Sequence, residues 1–241
     1  YWYYVVDHIF DKTGEYNIYF TAISADRLYS VKSDTKTLTV TKMTIPDTAI
    51  TAPTAKTLTY NGAEQELVTD GSVGAEYGTM QYSLNGEDWS AEIPTATNAG
   101  SYAVYYKAVS SDEDFKDSDV KFVSVSIAPM KIDHVRFTES FSKTYDGTAD
   151  VNLTNAQHPK FFDENEGEIS VLDTVYKISD VSFIAKTNTS ASDAGDKDGI
   201  RFRVTLESDN YVLQMSHDIE PYKSRNYVQY SEEGGVTFTI E

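Results

Sequence analysis

The chain has 241 residues, no cysteine and a formal net charge of −18 at pH 7. The absence of cysteine excludes disulfides, thiolate nucleophiles and cysteine-ligated zinc. The acidity argues against binding to nucleic acid or to an anionic membrane surface, because both are bound through Lys and Arg. No apolar run approaches the roughly 18 residues of a membrane helix, so we expect no membrane insertion.

Residues 1–43 have the pattern of the second half of a β domain. Segment 16–23 predicts one strand, with Tyr16, Ile18, Phe20 and Ala22 on one face. Residues 26–33 predict a loop, and residues 35–41 predict the closing strand. Nothing in the sequence supplies the first strands of this domain. We therefore expect it to be truncated, atypical or completed from outside, and the chain to be a fragment of a longer protein.

Residues 44–129 have the pattern of one complete repeat, entered through a proline-bearing junction at residues 42–46. Within it, Asn61-Gly62 tolerates the positive φ of a type I′ turn and predicts a hairpin over residues 58–67. Residues 79–84 predict a strand with Met80, Tyr82 and Leu84 on one face. Trp89 is the expected large core residue.

Residues 98–109 of this repeat predict a glycine turn followed by a long strand. Tyr102, Val104, Tyr106 and Ala108 share one of its faces. The same arrangement occurs near both ends of the chain. In each copy the strand is followed by an acidic turn and then by an aromatic residue. The interval from the turn glycine to that aromatic residue is 15 residues from Gly14 to Tyr29, 15 from Gly100 to Phe115 and 16 from Gly195 to Tyr211. An interval kept this closely indicates an internal repeat.

Residues 130–241 repeat the pattern at larger size. A polar insertion is predicted at residues 155–168, strands are predicted within 175–185, 200–206 and 236–240, and residues 217–230 predict a loop. Short strands with Gly, Asn and Asp turns between them, and no long segment with helical period, predict an all-β chain with almost no helix. The expected architecture is a series of tandem sandwich domains.

Three motifs identify the class of repeat. They are the turns Tyr60-Asn61-Gly62 and Tyr145-Asp146-Gly147, the turns Ala99-Gly100 and Ala194-Gly195, and the late Asn210-Tyr211. In these motifs and their order the chain resembles, over essentially its whole length, the bacterial immunoglobulin-like repeats called MBG or YDG domains. The resemblance implies immunoglobulin-like β-sandwiches within large secreted or surface-anchored proteins, especially of gut Gram-positive bacteria. It implies no catalytic residues, since the motif positions of this family are turns and core. The missing first half of the first repeat and the insertion at 155–168 depart from the pattern.

Few residues suggest a chemical site. Asp196 and Asp198 resemble part of a calcium loop, but the pattern lacks its first and twelfth ligands, so a solvated turn is expected there and no bound metal. The four histidines are far apart in sequence and predict neither metal binding nor catalysis. Tyr19 and Tyr105 fall opposite the predicted core faces. They are candidate partner-binding residues, although cross-strand pairing on a half-covered sheet also explains them.

The sequence thus predicts a non-catalytic spacer or stalk and interaction segment, extracellular and either secreted or attached to a cell wall. Neither enzymatic activity nor a cofactor is expected. The expected partners are a host glycan or protein and other domains of the same chain. Two alternatives remain, because sandwich folds serve many functions. One is a glycan- or protein-binding adhesin module, and the other is a set of accessory domains of a large secreted hydrolase whose active site lies outside this segment.

Overall fold

The computed structural model describes residues 10, 12–153, 158–170, 176–186, 188–213, 224–231 and 235–241. Across these residues the secondary structure is β-strand, apart from one 3₁₀ turn at Asp47–Ala49. The prediction of an all-β chain is therefore confirmed.

The contacts divide the chain into two compact units. The first comprises the described residues up to Lys56 together with Glu66–Ala96 and Tyr102–Val125. The second comprises Thr57–Gln65, Thr97–Ser101 and the described residues from Ser126 onward.

The strands as far as residue 128 are β1 (Gly14–Ile18), β2 (Thr21–Ile23), β3 (Ser30–Lys32), β4 (Lys36–Val40), β5 (Met43–Thr44), β6 (Ile50–Thr51), β7 (Leu58–Thr59), β8 (Gln65–Glu66), β9 (Ser72–Val73), β10 (Gly78–Ser83), β11 (Thr95–Ala96), β12 (Gly100–Ser110), β13 (Phe115–Lys116) and β14 (Lys121–Ala128). The later strands are β15 (Met130–Ile132), β16 (His134–Arg136), β17 (Phe141–Lys143), β18 (Lys160–Phe162), β19 (Glu168–Ile169), β20 (Tyr176–Ile184), β21 (Gly195–Lys197), β22 (Gly199–Leu206), β23 (Tyr211–Leu213), β24 (Ser224–Tyr230) and β25 (Phe238–Ile240).

The first unit begins with two antiparallel pairs, β1 with β4 and β2 with β3. The prediction of one strand over residues 16–23 is wrong, because the chain leaves the ladder at Tyr19 and Phe20. There the Phe20 N–H donates to Ser33 Oγ (3.0 Å), and the Ser33 N–H donates to the Phe20 carbonyl (2.8 Å). The predicted loop at 26–33 likewise contains β3. Of the face predicted for this segment, Ile18, Phe20 and Ala22 are exposed.

The core of the first unit lies on one side of the sheet in which β12 runs between β10 and β14. As predicted, Val104, Tyr106 and Ala108 are buried, and they are joined by Met80 and Tyr82 of β10. The expectation that Trp89 is a large core residue is wrong. Trp89 is only half-buried, and Leu84 is exposed, because both lie beyond the ladder of β10.

The predicted hairpin over residues 58–67 does not form. Asn61-Gly62 is a turn, with Gly62 at φ +77° and Asn61 Oδ1 accepting from the Ala63 N–H (2.9 Å). The strand before the turn pairs with the end of β14, whereas Leu67 after it donates its N–H to the Pro94 carbonyl (3.0 Å). A favourable turn sequence fixes the bend but does not fix which strands the two arms join.

The second unit is organised around the antiparallel sheet β20-β22-β24. Phe202, Val204 and Leu206 of β22 are buried, as their alternation with polar residues predicts. A β-bulge interrupts β20 between Ser179 and Ser182, and Asp180 lies there at φ +54°. The packed core around this sheet includes Phe137, Phe161, Phe183 and Phe238.

Two predictions for the second unit are wrong. The segment at 155–168 is more than a polar insertion, because β18 within it pairs with β16 and buries Phe161 and Phe162. The segment at 217–230 contains β24, which pairs with β22 along its whole length. Residues 155–157 and 217–223 lie outside the described residues.

The strand that precedes each Tyr-x-Gly turn pairs in parallel with a closing strand. Leu58 and Thr59 of β7 pair with Ile127 and Ala128, and β17 pairs with β25 in the same sense. The tyrosine of each Tyr-x-Gly turn continues the pairing. The Tyr60 N–H donates to the Ala128 carbonyl, and the Tyr145 N–H donates to the Glu241 carbonyl, both at 2.7 Å.

The junction strands also have equivalent partners. β5 pairs in parallel with β13, and β15 pairs in parallel with β23. The Met43 N–H donates to the Asp114 carbonyl (3.0 Å), and the Met130 N–H donates to the Asn210 carbonyl (2.9 Å). Each junction methionine is thus bonded to the residue directly before an aromatic residue, Phe115 in one case and Tyr211 in the other.

Candidate functional site

An aromatic face lies on the outward side of the main sheet of the first unit, and we define it as Trp89, Tyr105 and Phe122. Tyr105 and Phe122, on β12 and β14, have ring centroids 5.9 Å apart, and Phe122 is 62% exposed. Lys107 Nζ lies 5.0 Å from the centroid of Trp89 and forms an ion pair with Asp117 (3.1 Å). Aromatic rings and a cation on one surface suit a polar partner with flat apolar faces.

A tight turn places Trp89 beside this sheet. Ser83 Oγ accepts from the Gly86 N–H (2.9 Å), and Asn85 Oδ1 accepts from the N–H of Asp88 (2.9 Å). Gly86 lies at φ +77°, a conformation that favours glycine, and the turn passes close to the ring of Tyr105. After the turn, Ser90 forms an antiparallel β-bridge with Tyr82 of β10. Trp89 is therefore held next to β10.

Tyr19 lies between β1 and β2 and is 52% exposed, with Lys32 Nζ 3.4 Å from its ring centroid. Phe20, Ile23, Leu28 and Tyr29 nearby in sequence are also exposed. Of the candidate partner-binding residues, Tyr19 thus lies in a connection between two strands, whereas Tyr105 lies on β12. Tyr105 is half-buried against its neighbours, and Tyr19 is the more accessible ring. Their binding role stays a prediction.

A cleft of about 1140 Å³ opens in the second unit beside the bulge of β20. Three of its charged side chains, those of Lys177, Asp180 and Glu207, are held in ion pairs. Glu207 pairs with Lys177, and Asp180 accepts from Arg203 Nε (2.8 Å), which lowers the pKa of the Asp180 carboxyl. His158 Nδ1 lies 3.3 Å from the hydroxyl of Tyr176. The remaining lining is largely apolar or hydroxyl-bearing and includes Val151, Leu153, Ile178, Ser179 and Val181.

Asp196 and Asp198, the candidate calcium ligands, lie on either side of the buried Lys197. Asp196 Oδ1 accepts from Thr239 Oγ1 (3.0 Å), and its other oxygen lies 3.9 Å from Lys186 Nζ. Within the part of the chain that the structure describes, no three His, Asp or Glu side chains are grouped to hold a metal ion.

Of the histidines, His134 lies between two carboxylates. Its Nδ1 is 2.7 Å from Asp133 Oδ2, and its Nε2 is 3.2 Å from Glu166 Oε1. Glu166 also pairs with Arg136 (2.7 Å). His8 and His217 lie outside the described residues.

The structure also brings together a set of residues that sequence analysis treated as separate turn motifs. Asn210 Oδ1 accepts from the Ala99 N–H (2.7 Å), and Asn210 Nδ2 donates to Asn98 Oδ1 (3.1 Å). The rings of Tyr60 and Tyr211 meet edge to face, with centroids 5.2 Å apart. Burial, together with the neighbouring Tyr60, raises the pKa of Tyr211 to about 12. We call this set the motif junction, and the recurrence of the Tyr-x-Gly and Ala-Gly turns was the signal available in the sequence.

No family model matches this chain, and searches of curated proteins and of solved structures find no match either. No helix among the residues described is long and apolar enough to cross a membrane.

Proposed function

We propose that this chain is a non-catalytic spacer and interaction segment of an extracellular bacterial protein, built from tandem immunoglobulin-like repeats. The supporting observation is that an early strand of each predicted repeat pairs in parallel with the closing strand, β7 with β14 and β17 with β25. In both pairs a tyrosine N–H extends the ladder by one more bond of 2.7 Å, from Tyr60 and from Tyr145. A spacer must hold its length when its two ends are pulled apart.

Parallel pairing of an early strand with the closing strand suits that requirement. When the start of β7 or β17 and the end of its closing strand are pulled in opposite directions, the two strands slide along each other. Their backbone hydrogen bonds are then loaded together instead of opening one after another. Resistance to forced unfolding depends on the rate of unfolding under load, so bonds that must break together slow it.

Single-molecule stretching of the full chain through its two ends tests this function. We expect distinct unfolding events, one of which moves to lower force in the Tyr145→Pro variant, because proline lacks the N–H that bonds to Glu241. Tyr145→Ala keeps that N–H and is the matched control, with an expected force close to that of the unaltered chain. A chain that extends without force peaks, or a proline variant that behaves like the alanine variant, would contradict a load-bearing role.

The aromatic face supports a second candidate function, binding of a glycan. Trp89, Tyr105 and Phe122 offer ring faces to sugars, and Lys107 adds a cation beside Trp89. We expect the full chain to bind a subset of glycans on an array and the Trp89→Ala and Phe122→Ala variants to lose most of that signal. Tyr230→Ala, at an exposed tyrosine of the second unit, is the control and should retain it. Equal binding by all variants would exclude the aromatic face as the glycan-binding site.

A further inference from the structure

The motif junction joins the predicted second and third repeats through a small set of polar and aromatic contacts. The second repeat supplies the ring of Tyr60 and the turn Asn98-Ala99, and the third supplies Asn210 and Tyr211. The Asn210 side chain uses both ends of its amide there. Its oxygen accepts from the Ala99 N–H, and its NH₂ group donates to Asn98. The junction is thus a specific recognition of an Asn-Tyr loop by a Tyr-x-Gly turn and an Ala-Gly turn.

The third repeat carries its own copy of the receiving half. Tyr145 corresponds to Tyr60, since each donates its N–H at 2.7 Å to a carbonyl at the end of a closing strand, that of Glu241 directly after β25 and that of Ala128, the last residue of β14. Asp193-Ala194 corresponds to Asn98-Ala99, since each precedes a glycine that begins a strand.

The two receiving halves differ in exposure. Tyr60 is partly buried against the second-unit core, whereas Tyr145 is 57% exposed, and both Asp193 and Ala194 are exposed. We name Tyr145, Asp193 and Ala194 the second platform.

We propose that the second platform binds the Asn-Tyr loop of a further repeat of the same kind, joined through a junction like that at residues 129–132. The chemistry matches in both directions. Asp193 carries a carboxylate where Asn98 carries an amide oxygen, so it can accept from the asparagine NH₂ group. One of its oxygens accepts from the Ser190 N–H (2.8 Å), and the second oxygen remains for the incoming loop. The Ala194 N–H takes the place of the Ala99 N–H as donor to the asparagine oxygen.

The path of the backbone indicates that the occupant of the second platform is a repeat that follows in the same chain. In the motif junction the residue two positions after Ala128 is Met130, whose N–H donates to the Asn210 carbonyl (2.9 Å). The same bond, from Met43 to Asp114 (3.0 Å), recurs where the chain enters the second repeat. A chain continuing past Glu241 in the same way would carry the next Asn-Tyr loop towards Tyr145. This inference goes beyond the spacer role, because it assigns a binding partner whether or not the chain bears load.

The absence of cysteine from the chain allows a clean crosslinking test. A second copy of residues 129–241 is fused after Glu241 of the full chain. Ala194→Cys in the full chain is combined with Asp209→Cys in the appended copy, which leaves the Asn210 amide of the incoming loop in place. A disulfide forms only where the two Cα atoms come within about 7 Å. The reference is the pair Ala99→Cys and Asp209→Cys within the unfused chain, because Asp209 adjoins Asn210, whose Oδ1 accepts from the Ala99 N–H (2.7 Å).

We expect the fused pair to oxidise within one molecule to the same extent as the reference pair. Tyr145→Ala should lower the crosslinked fraction several-fold, while the same change leaves the unfused chain folded because Tyr145 is exposed. A pair with Tyr230→Cys in place of Asp209→Cys is the negative control. Ser142→Cys with Thr239→Cys in the appended copy reports its folding, since these residues are paired between β17 and β25.

Three results would overturn the proposal. The first is a crosslinked fraction no greater than that of the negative control. The second is an appended copy that stays unfolded, because docking on the platform must stabilise it as the motif junction stabilises the third repeat. The third is crosslinking that occurs only between molecules and rises with concentration, which would assign the platform to association of separate chains. None of these readouts involves force, so failure here and failure of the spacer function are distinguishable.

Discussion

The hydroxyl of Tyr82 donates a hydrogen bond to Asp70 Oδ1 (2.6 Å) and accepts one from the Gly71 N–H (2.7 Å). The ring is buried in the core of the first unit, so these bonds tie an irregular loop to the main sheet. Tyr227 in the second unit is also buried, but its hydroxyl has no hydrogen-bond partner among the described residues.

Removing these two hydroxyls should therefore have different effects. Tyr82→Phe leaves the Gly71 N–H without its partner, and we expect the free energy of unfolding to fall by about 1–3 kcal/mol. Tyr227→Phe removes an unpaired buried hydroxyl and should leave stability unchanged or slightly higher. Urea unfolding of both variants measures the difference. Equal losses in the two variants would contradict this interpretation.

Stability should decrease at alkaline pH. Burial raises the pKa of Tyr82, Tyr211 and Tyr227 to about 12, from the ordinary tyrosine value of about 10. Between these values the unfolded chain has released these protons while the folded chain still holds them, so the free energy of unfolding falls as the pH rises. The stabilisation is fully present below pH 10. Urea titrations near pH 9 and pH 11 should show the loss, and Tyr227→Phe should reduce it. A flat profile would count against the burial of these rings.

Gly199 begins β22 and pairs with Tyr230 of β24. A Cβ atom at Gly199 would lie 1.9 Å from the carbonyl oxygen of Gln229, which is backbone and cannot turn aside. We expect Gly199→Ala to cost about 2–3 kcal/mol, because the pairing of β22 with β24 must shift. Gly147 is the matched control. It has φ +78° with open space around it, so Gly147→Ala should cost only about 1 kcal/mol of conformational strain. Thermal unfolding that ranks the two variants the other way would contradict the strand register.

The side chain of Gln229 bonds to the backbone of Phe137. It is buried and forms two bonds there, accepting from the N–H (2.6 Å) and donating to the carbonyl (2.8 Å). Gln229→Leu removes both of these buried bonds, and we expect a loss of about 2–4 kcal/mol. Gln81→Leu, at a half-buried position of β10, should change stability by less than about 0.5 kcal/mol. Chemical denaturation of both variants provides the measurement, and similar effects would exclude this role.

The sequence by itself determined the strands and turns that depend on local physics. The alternation of Phe202, Val204 and Leu206 with polar residues predicts a strand buried on one side, since successive side chains point to opposite faces. Gly14 and Gly100 begin β1 and β12 at φ +153° and +155°, a region that glycine enters without steric cost.

Only the tertiary structure decided which strands pair and what each motif contacts. Asn61-Gly62 forms the bend that its sequence favours, yet its arms join different partners, because strand pairing is a choice among distant segments of similar local pattern. Trp89 has the large apolar side chain typical of a core residue, but it lies on the outward face beside Lys107. Asn210 reaches Asn98 across 112 positions of the chain, and a contact at that separation leaves no periodicity in the sequence from which it could be predicted.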